Sequence, residues 1–388
     1  MSVVRLPGTQ GRRPIGYFVH HQGRGHAERC AALVGALPED RPVTVFCAKP
    51  EILPPLPAHV EVVAIPSLFE RRGDEARGMD GVPTPDTLHC APLGWPAITE
   101  AMATLTEWFA TARPALIVCD VSAEIAQIAR ICSIPHVKVL QHGDRSDPGH
   151  RAAYDGAAGI LAPFAEALAQ PDWDEPMRRR TCFAGGLGVR TDLPDRDTAR
   201  RRLGIDPEEE LILAVSGKGG DGMAAAPLGI GARALPDTRW VAIGELRSDW
   251  HATLPSNLDA RGWVTDAGAW IAAADLVVAS TGNTTCQQIL AAGRPWLAIP
   301  EWRYFDEQVH KARSLARAGV AVHLDALPAS AQDWRAAIDR ARRSHDPERQ
   351  RSMIRMDAAA YAAGWLDGLA QDLWSEADTF LPLQIAGE

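Results

Sequence analysis

The sequence is short of lysine, of net positive charge and of long apolar runs. Only four of its 40 basic residues are lysines, and the 388-residue chain carries a formal net charge of −9. An acidic balance argues against a large nucleic-acid surface, because such surfaces bind by releasing counterions from phosphates. No run approaches the ~20 apolar residues that a membrane-spanning helix requires. The first residues, MSVVRLPGTQGRRP, also lack the apolar segment of a secretory signal. We therefore expect neither a membrane span nor a nucleic-acid partner.

Cysteine pairs of the C-x-x-C kind are also absent. The seven cysteines are an odd number, and several lie in apolar runs such as VFCA and LIVCD. This usage is typical of buried, reduced thiols and argues against a cysteine-based zinc site. We expect a cytoplasmic protein, and the sequence leaves its oligomeric state unknown.

Short apolar runs alternate with amphipathic stretches along the chain. The runs are continuously hydrophobic, as in strands buried on both faces of a parallel sheet. A first series predicts strands at residues 15–19, 43–48, 60–65, 116–120 and 136–140. A second series predicts strands at residues 211–217, 239–245, 276–280, 296–300 and 320–324. Helical patterns lie between the strands at residues 26–37, 97–112, 122–133, 283–292 and 306–318.

The repeated alternation predicts an α/β protein with two doubly wound, Rossmann-like domains. A stretch rich in Gly, Pro and charge near residues 185–205 separates them. We expect an N-terminal domain over residues 1–188 and a C-terminal domain over 189–365, with the tail at 366–388 packing back on the first. Ligands of open α/β sheets bind at the carboxyl ends of the strands, so the cleft between the domains is the expected site.

Two glycine-rich loops follow predicted strands. In HHQGRGHAER, Gly23 and Gly25 permit a tight turn before a helix, where free N–H groups favour an anion or a polar ligand. A structural turn explains these glycines equally well. The loop SGKGGDG at residues 216–222 places Lys218 among N–H groups that suit a diphosphate, although a surface turn has the same composition. It lacks the Walker A pattern, which excludes that route to nucleotide-triphosphate hydrolysis.

Small hydroxyl and amide residues open a predicted helix at residues 280–285. A helix N-terminus with such side chains suits phosphate oxygens. Thr284 and Gln288 lie four residues apart and share one face of that helix. After the next strand, Asp306 and Gln308 offer hydrogen-bonding groups to sugar hydroxyls or, alternatively, cap a helix.

The order of these motifs resembles that of GT-B fold glycosyltransferases, particularly family 28 and the macrolide- and flavonoid-type enzymes. The segment GRGHAER is similar to their G-x-G-H-x-x-R loop. Residues 116–143 are similar to their succession of strand, Asp, helix, IP and QHG. Residues 262–319 are similar to their nucleotide-sugar half, from G-W-V to D-x-Q. Together these matches cover most of the chain in the expected order.

The resemblance implies a transferase that moves a sugar from a nucleotide-diphosphate sugar to an acceptor hydroxyl or other nucleophile, with inversion and with a UDP-sugar favoured. It implies His26 as the catalytic base and Asp120 as its partner. With the 216–219 loop, the expected donor-binding residues are Ser216, Gly217, Lys218, Gly219, Trp263, Val264, Thr281, Gly282, Asn283, Thr284, Gln288, Asp306 and Gln308. The expected acceptor-side residues are Gly23, Arg24, Gly25 and His142.

Three positions depart from the family pattern. Gln288 stands where most relatives carry the Glu that holds the ribose diol, Thr281 stands in place of the first Gly of a pair, and Ser280 stands in place of the His before it. Gln288 keeps an acceptor oxygen but loses the charge-assisted hydrogen bond of a carboxylate. This change favours one alternative, a non-catalytic nucleotide-sugar-binding protein of the same fold. A nucleotide-sugar 2-epimerase is a second alternative, because it shares the architecture.

The expected partners are a nucleotide sugar and a small soluble acceptor. Residues 66–96 are long, irregular and punctuated by Gly and Pro, which is typical of a functional loop, and we expect them to contact the acceptor. Their arginines could attract an acidic acceptor or simply be solvated. No cofactor is expected, because the donor is a substrate, and no metal, because the histidines near the first loop match no ligand spacing.

Overall fold

Two parallel β-sheets, each flanked by helices, form the framework of the chain. The computed structural model describes residues 12–217, 220, 222–248 and 253–375. The first sheet consists of β1 (Ile15–Val19), β2 (Val43–Cys47), β3 (Val60–Ala64), β4 (Leu116–Cys119), β5 (His136–Val139), β6 (Gly159–Ala162) and β7 (Thr181–Phe183). The second consists of β8 (Leu211–Val215), β10 (Arg239–Ile243), β12 (Leu258–Gly262), β13 (Leu276–Ala279), β14 (Trp296–Ala298) and β15 (Val322–His323). A separate short pair is formed by β9 (Met223–Ala224) and β11 (Leu246–Arg247).

The helices lie between these strands along the chain. Those of the first half are α1 (Arg24–Gly35), α2 (Pro96–Ala112), α3 (Ala123–Ile131), α4 (Pro148–Asp155) and α5 (Glu175–Arg179). Those of the second half are α6 (Arg196–Leu203), α7 (Ala225–Ala234), α8 (Ala267–Ala273), α9 (Asn283–Ala292), α10 (Glu307–Arg317), α11 (Ala331–Arg343), α12 (Pro347–Arg351) and α13 (Ala358–Asp372). Within the described ranges, no helix has the length and apolar character needed to cross a membrane.

Strand order fixes where each sheet can bind a ligand. The first sheet has the order β3-β2-β1-β4-β5-β6-β7 and the second β12-β10-β8-β13-β14-β15, with every pair parallel. The winding direction therefore reverses between β1 and β4 and again between β8 and β13. Such reversals open a crevice at the carboxyl ends of the strands. The predicted site segments at residues 20–29, 216–219 and 280–285 follow β1, β8 and β13, and Asp120 follows β4.

The central strands are apolar because both of their faces are covered. Every residue of β1, β4, β8 and β13 is buried, which agrees with their continuous hydrophobic runs. Gly16 in β1 lets the Trp108 ring of α2 approach, since a Cβ there would lie 2.9 Å from that ring. In the second domain, Trp240 of β10 and Trp334 of α11 meet edge to face at 5.2 Å between ring centroids.

The structure corrects three expectations about strands. We expected residues 60–65 to be buried on both faces, but β3 is an edge strand and Val62 keeps 40% of its surface exposed. The prediction missed β6 and β7, which are only four and three residues long. It also missed β12, a polar edge strand with the sequence LDARG. Very short strands offer too few residues for a clear hydrophobic pattern, and an edge strand that faces solvent need not be apolar.

The last described helix, α13, returns to the first domain and packs on α1. Ala362, Ala363 and Leu366 join the apolar cluster around β1 and β2. The helix therefore begins its contact earlier than residue 366, where we expected the returning tail to start. The first sheet ends at Phe183 and the second begins at Leu211, and the expected division at residue 188 lies between them.

A buried ion pair fastens α13 to the first domain. Arg41 Nε donates to Asp367 Oδ1 at 2.7 Å, and Arg12 Nη1 donates to Asp367 Oδ2 at 2.7 Å. Burial alone raises the pKa of the Asp367 carboxyl, but the two arginines outweigh it and lower that pKa below its usual value. Arg41 is almost fully buried, so its guanidinium charge needs this carboxylate as a nearby anion to offset the cost of burial.

We predict that Asp367→Ala destabilises the protein by about 3 kcal/mol, because it leaves the buried Arg41 guanidinium unpaired. For a domain of 150–250 residues this corresponds to a fall of roughly 6–12 °C in melting temperature. Thermal unfolding followed by circular dichroism measures it. Asp372→Ala, at the exposed end of the same helix, is the matched control and should cost less than about 0.5 kcal/mol. Equal losses for the two variants would contradict the role given to the ion pair.

Candidate active site

A cavity of about 460 Å³ lies in the cleft between the two domains. Its walls are formed by segments that follow strands of both sheets, including the strands at the two reversals, and by part of α10. The first domain contributes Gly23, Arg24, Gly25, His26, Arg29, Leu140, Gln141, His142, Pro163 and Phe164. The second contributes, among others, Ser216, Gly217, Trp263, Val264, Ser280, Gly282, Asn283, Thr284, Gln288, Gln308 and Lys311.

The loop between β1 and α1 brings His26 to the cleft. Gly23 has a φ of 106°, a conformation that side-chain-bearing residues rarely adopt, and α1 starts at the next residue. His26 therefore lies in the first turn of α1. A Cβ at Gly25 would lie 3.9 Å from Thr284 Oγ1 of the second domain. The N-termini of α1 and α9 thus face each other across the cavity.

A buried carboxylate holds this turn in place. Asp120 follows β4, next to β1, and is fully buried. Arg29 Nε donates to Asp120 Oδ2 at 3.0 Å and Arg29 Nη2 donates to Oδ1 at 2.8 Å, a bidentate pair. Tyr17 donates its hydroxyl to Oδ2 at 3.1 Å. Burial raises the pKa of the Asp120 carboxyl, but Arg29 and His26 outweigh it and hold that pKa well below its usual range.

Two neighbours compete for the Nδ1 atom of His26. Asp120 Oδ1 lies 3.0 Å from it and Arg29 Nη2 lies 2.9 Å from it. With the proton on Nδ1, the ring donates to Asp120 and Nε2 is free to accept a proton. With the proton on Nε2, Nδ1 accepts from Arg29 instead. Action as a base through Nε2 requires the first tautomer, which the anionic Asp120 favours.

The opposite wall is the N-terminus of α9. Within the described residues, no side chain caps this end, so the N–H groups of Asn283, Thr284 and Thr285 lack a side-chain acceptor. Such N–H groups and the helix dipole attract anions. Gln308 braces the turn, since its Oε1 accepts from Thr281 N at 3.1 Å. The hydroxyl of Thr281 donates to Gln308 O at 2.7 Å.

The remaining wall offers an aromatic ring and amide groups. Trp263 follows β12 and keeps 53% of its surface exposed in the cleft. Gln288 is half-buried one turn beyond Thr284, on the same face of α9. Ser216 is fixed at the end of β8, where its Oγ accepts from Met223 N at 3.0 Å. A planar base against Trp263 and a ribose near Gln288 fit this arrangement.

Most of the predicted residues line one cavity, and three of the described ones do not. Asp120 lies behind His26, and Thr281 is fully buried with its hydroxyl bonded to α10. Asp306 borders a groove outside the cleft with Asp144 and Ser146. Lys218 and Gly219 lie outside the described residues. The direct contacts predicted for these positions stay predictions.

The segment 66–96 does not line this cavity within the described residues. Two of its three arginines are paired locally, Arg71 with Asp80 at 3.3 Å and Arg72 with Glu100 at 2.9 Å. These pairs offset part of the positive charge that could attract an acidic acceptor. Contact between the segment and the acceptor stays a prediction.

Comparison with known proteins agrees with this geometry. The model of the glycosyltransferase family 28 C-terminal domain matches residues 245–362. The chain resembles the UDP-N-acetylglucosamine–N-acetylmuramyl-(pentapeptide) pyrophosphoryl-undecaprenol N-acetylglucosamine transferases of Moorella thermoacetica and Salinibacter ruber. The Moorella protein is 27% identical, over 52% of this chain and 57% of its own length. The Salinibacter protein is 29% identical, over 59% of this chain and 64% of its own length. The matched regions thus span less than two thirds of these relatives.

Solved structures settle the fold. The glycotransferase of kitacinnamycin has a TM-score of 0.62 and 20% identity, with 92% of this chain and 99% of that chain covered. MurG of Acinetobacter baumannii has a TM-score of 0.60 and 13% identity with the same coverage. The chain has the GT-B fold. The predicted GT-B architecture and the resemblance to family 28 glycosyltransferases are confirmed.

The sequence did not predict a role for two residues of the GT-B cleft. Arg29 carried no predicted role, although it lies one helical turn after His26 on the same face. Lys311 carried no predicted role either, yet it lies one turn after Gln308 and lines the cavity. In both cases the helical spacing could be read from the sequence. The sequence did not show that Arg29 has a buried carboxylate partner or that Lys311 is itself buried.

Outside the GT-B cavity, His89, Asp147 and His150 form a cluster with metal-ligand chemistry. Both rings bond to the carboxylate at 2.6 Å. Arg145 Nη1 donates to the remaining nitrogen of His150 at 2.9 Å. The cluster is thus a hydrogen-bonded network with a guanidinium beside it, which disfavours a second cation.

We predict that Arg29→Met costs about 3–5 kcal/mol of stability, because it leaves a buried anionic Asp120 without its main partner. Asp120→Asn leaves Arg29 without an anion and also destabilises. The double variant removes both charges, so it should cost less than the sum by about 0.5–3 kcal/mol. Chemical unfolding of the four proteins measures this cycle. Strict additivity of the two losses would contradict the pairing.

Proposed function

We propose that this chain is a glycosyltransferase that transfers a sugar from a nucleotide-diphosphate sugar to an acceptor hydroxyl, with inversion at the anomeric carbon. The single observation that carries the proposal is the cleft itself. One wall presents His26 backed by Asp120, and the facing wall presents the uncapped N-terminus of α9. A base and an anion-binding helix end, opposed across a cavity, are what a displacement of a diphosphate requires.

The proposed chemistry couples one proton transfer to one displacement at the anomeric carbon. His26 takes the acceptor proton on Nε2 as the acceptor oxygen forms a bond to the anomeric carbon. The bond from that carbon to the β-phosphate oxygen breaks, and the diphosphate leaves with the electron pair. Asp120 orients the ring and stabilises the imidazolium that forms. The N–H groups of Asn283, Thr284 and Thr285 stabilise the leaving diphosphate.

A UDP-sugar is the donor that we favour. The Moorella and Salinibacter relatives carry UDP-N-acetylglucosamine in their names, and they are transferases, which supports transfer over epimerisation. Trp263 and Val264 would contact the base, and Gln288 the ribose. The acceptor is proposed to be a small molecule that enters beside Arg24 and His26. No cofactor or metal takes part in this proposal, and activity that persists with excess EDTA tests that point.

We predict that His26→Ala lowers kcat by about 10²–10⁴-fold, the usual contribution of a general base, while the Kd for UDP changes less than about twofold. Product formation by mass spectrometry and titration calorimetry measure the two quantities. His59→Ala, at an exposed histidine before β3, is the matched control and should leave both unchanged. Equal losses of turnover and of UDP affinity in His26→Ala would contradict the base assignment.

We predict that UDP and its sugars raise the melting temperature more than the corresponding adenosine, guanosine and thymidine diphosphates. A ligand that binds only the folded state at 100 times its Kd stabilises it by about 2.7 kcal/mol. A thermal-shift panel compares them. Stabilisation by none of these nucleotides would contradict the proposed function, and conversion of a UDP-sugar to its 2-epimer without an acceptor would favour the epimerase.

A further inference from the structure

Lys311 places a buried ammonium in the cavity wall. Only 5% of its surface is exposed, and it lies on α10 one turn after Gln308. The nearest carboxylate, Glu307, has its Oε1 atom 3.6 Å from Lys311 Nζ, which is beyond hydrogen-bond distance. The other oxygen of Glu307 lies 3.7 Å from Arg145 Nη2. One carboxylate is therefore shared by two cations.

The cavity has a surplus of positive charge at this point. Among the described residues that line it, Arg24, Arg29, Arg303 and Lys311 are cations and Glu307 is the sole anion. The three arginines each have a carboxylate within 3.5 Å: Glu28 for Arg24, Asp120 for Arg29 and Glu301 for Arg303. Lys311 alone depends on the shared Glu307. A buried ammonium without a close anion is unfavourable, so this position is suited to an anionic ligand.

His142 supplies an independent observation. It lines the same cavity from the first domain, where it is fully buried, and its Nε2 donates to Leu168 O at 2.8 Å. Its Nδ1 atom has no hydrogen-bond partner within the part of the chain that the structure describes. Burial first, and then the Lys311 charge, lower the pKa of His142 well below its usual value, so the ring is neutral. An acceptor atom without a partner is thus left on a ring that lines the cavity and that the charge of Lys311 influences.

Resting on the proposed transfer function, we propose that Lys311 binds an anionic group of the sugar nucleotide while His142 Nδ1 accepts a hydrogen bond from a hydroxyl of the same ligand. Two sources of the anionic group fit this chemistry. One is the β-phosphate, and the other is a carboxylate on the transferred sugar, as in a hexuronyl donor. Gln308 fits beside them, since its Oε1 is taken by Thr281 N and Glu301 N and its Nε2 is left to donate.

Titration calorimetry of the full chain with UDP, UDP-glucose and UDP-glucuronate tests the proposal. Lys311→Met removes the charge and keeps the apolar stem. It should weaken binding by about 10–100-fold, which is the usual contribution of a hydrogen bond to a charged group. Arg313→Met is the matched control, because it removes a cation from an exposed position of the same helix. Lys311→Gln replaces Lys311→Met if the latter fails to fold.

The set of ligands for which Lys311→Met loses affinity identifies the anionic group. Weaker binding of all three ligands assigns Lys311 to the β-phosphate, and weaker binding of UDP-glucuronate alone assigns it to a sugar carboxylate. Unchanged binding of all three overturns the proposal for Lys311 and leaves the proposed function intact. If the wild-type chain binds none of the three, the proposed function fails together with this inference. The variant His142→Phe should weaken the binding of the two UDP-sugars and leave the binding of UDP unchanged. Unaffected binding of the UDP-sugars would overturn the role proposed for His142.

Discussion

The buried charge of Asp120 is the constraint around which the cleft is organised. A carboxylate at the end of an interior strand is strongly unfavourable unless cations and hydrogen-bond donors surround it. Arg29 meets that requirement from the first helix, and Tyr17 meets it from the neighbouring strand. Because Arg29 lies one turn after His26, satisfying Asp120 also fixes the orientation of α1. The position of the proposed base is thus a consequence of pairing a buried charge.

In the second domain, hydrogen bonds between neutral groups, rather than an ion pair, fix the segment that faces the cavity. The turn before α9 has little side-chain bulk, and Gln308 and Thr281 join it to α10 through hydrogen bonds. These bonds leave the N–H groups of the first turn directed at the cavity. The two sheets therefore bring different chemistry to one place: a charged, proton-accepting wall and a wall of backbone donors. The reversal of strand order in each sheet is what places both at the carboxyl ends of the strands.

The interior of the fold was readable from the sequence because covered strands are uniformly apolar. The helix predicted at residues 283–292 has those bounds in the structure, since small polar residues and Gly293 mark its ends. The polar edge strand β12 was missed because its side chains face solvent. Which residues share the cavity depends on how loops far apart in sequence meet. Asp306 illustrates this. Its φ of 50° places it in a turn that borders the outer groove, and the D-x-Q pattern did not reveal that local conformation.

Hydrogen–deuterium exchange with and without UDP tests directly whether the N-terminus of α9 is the nucleotide site. Slower exchange is expected at residues 280–288 and around Trp263, because a bound diphosphate engages the N–H groups of Asn283, Thr284 and Thr285. Helix α11, on the far side of the second sheet, is expected to exchange at an unchanged rate. Binding of UDP without protection of residues 280–288 would contradict the assignment of this helix end and, with it, the proposed arrangement of donor and base across the cleft.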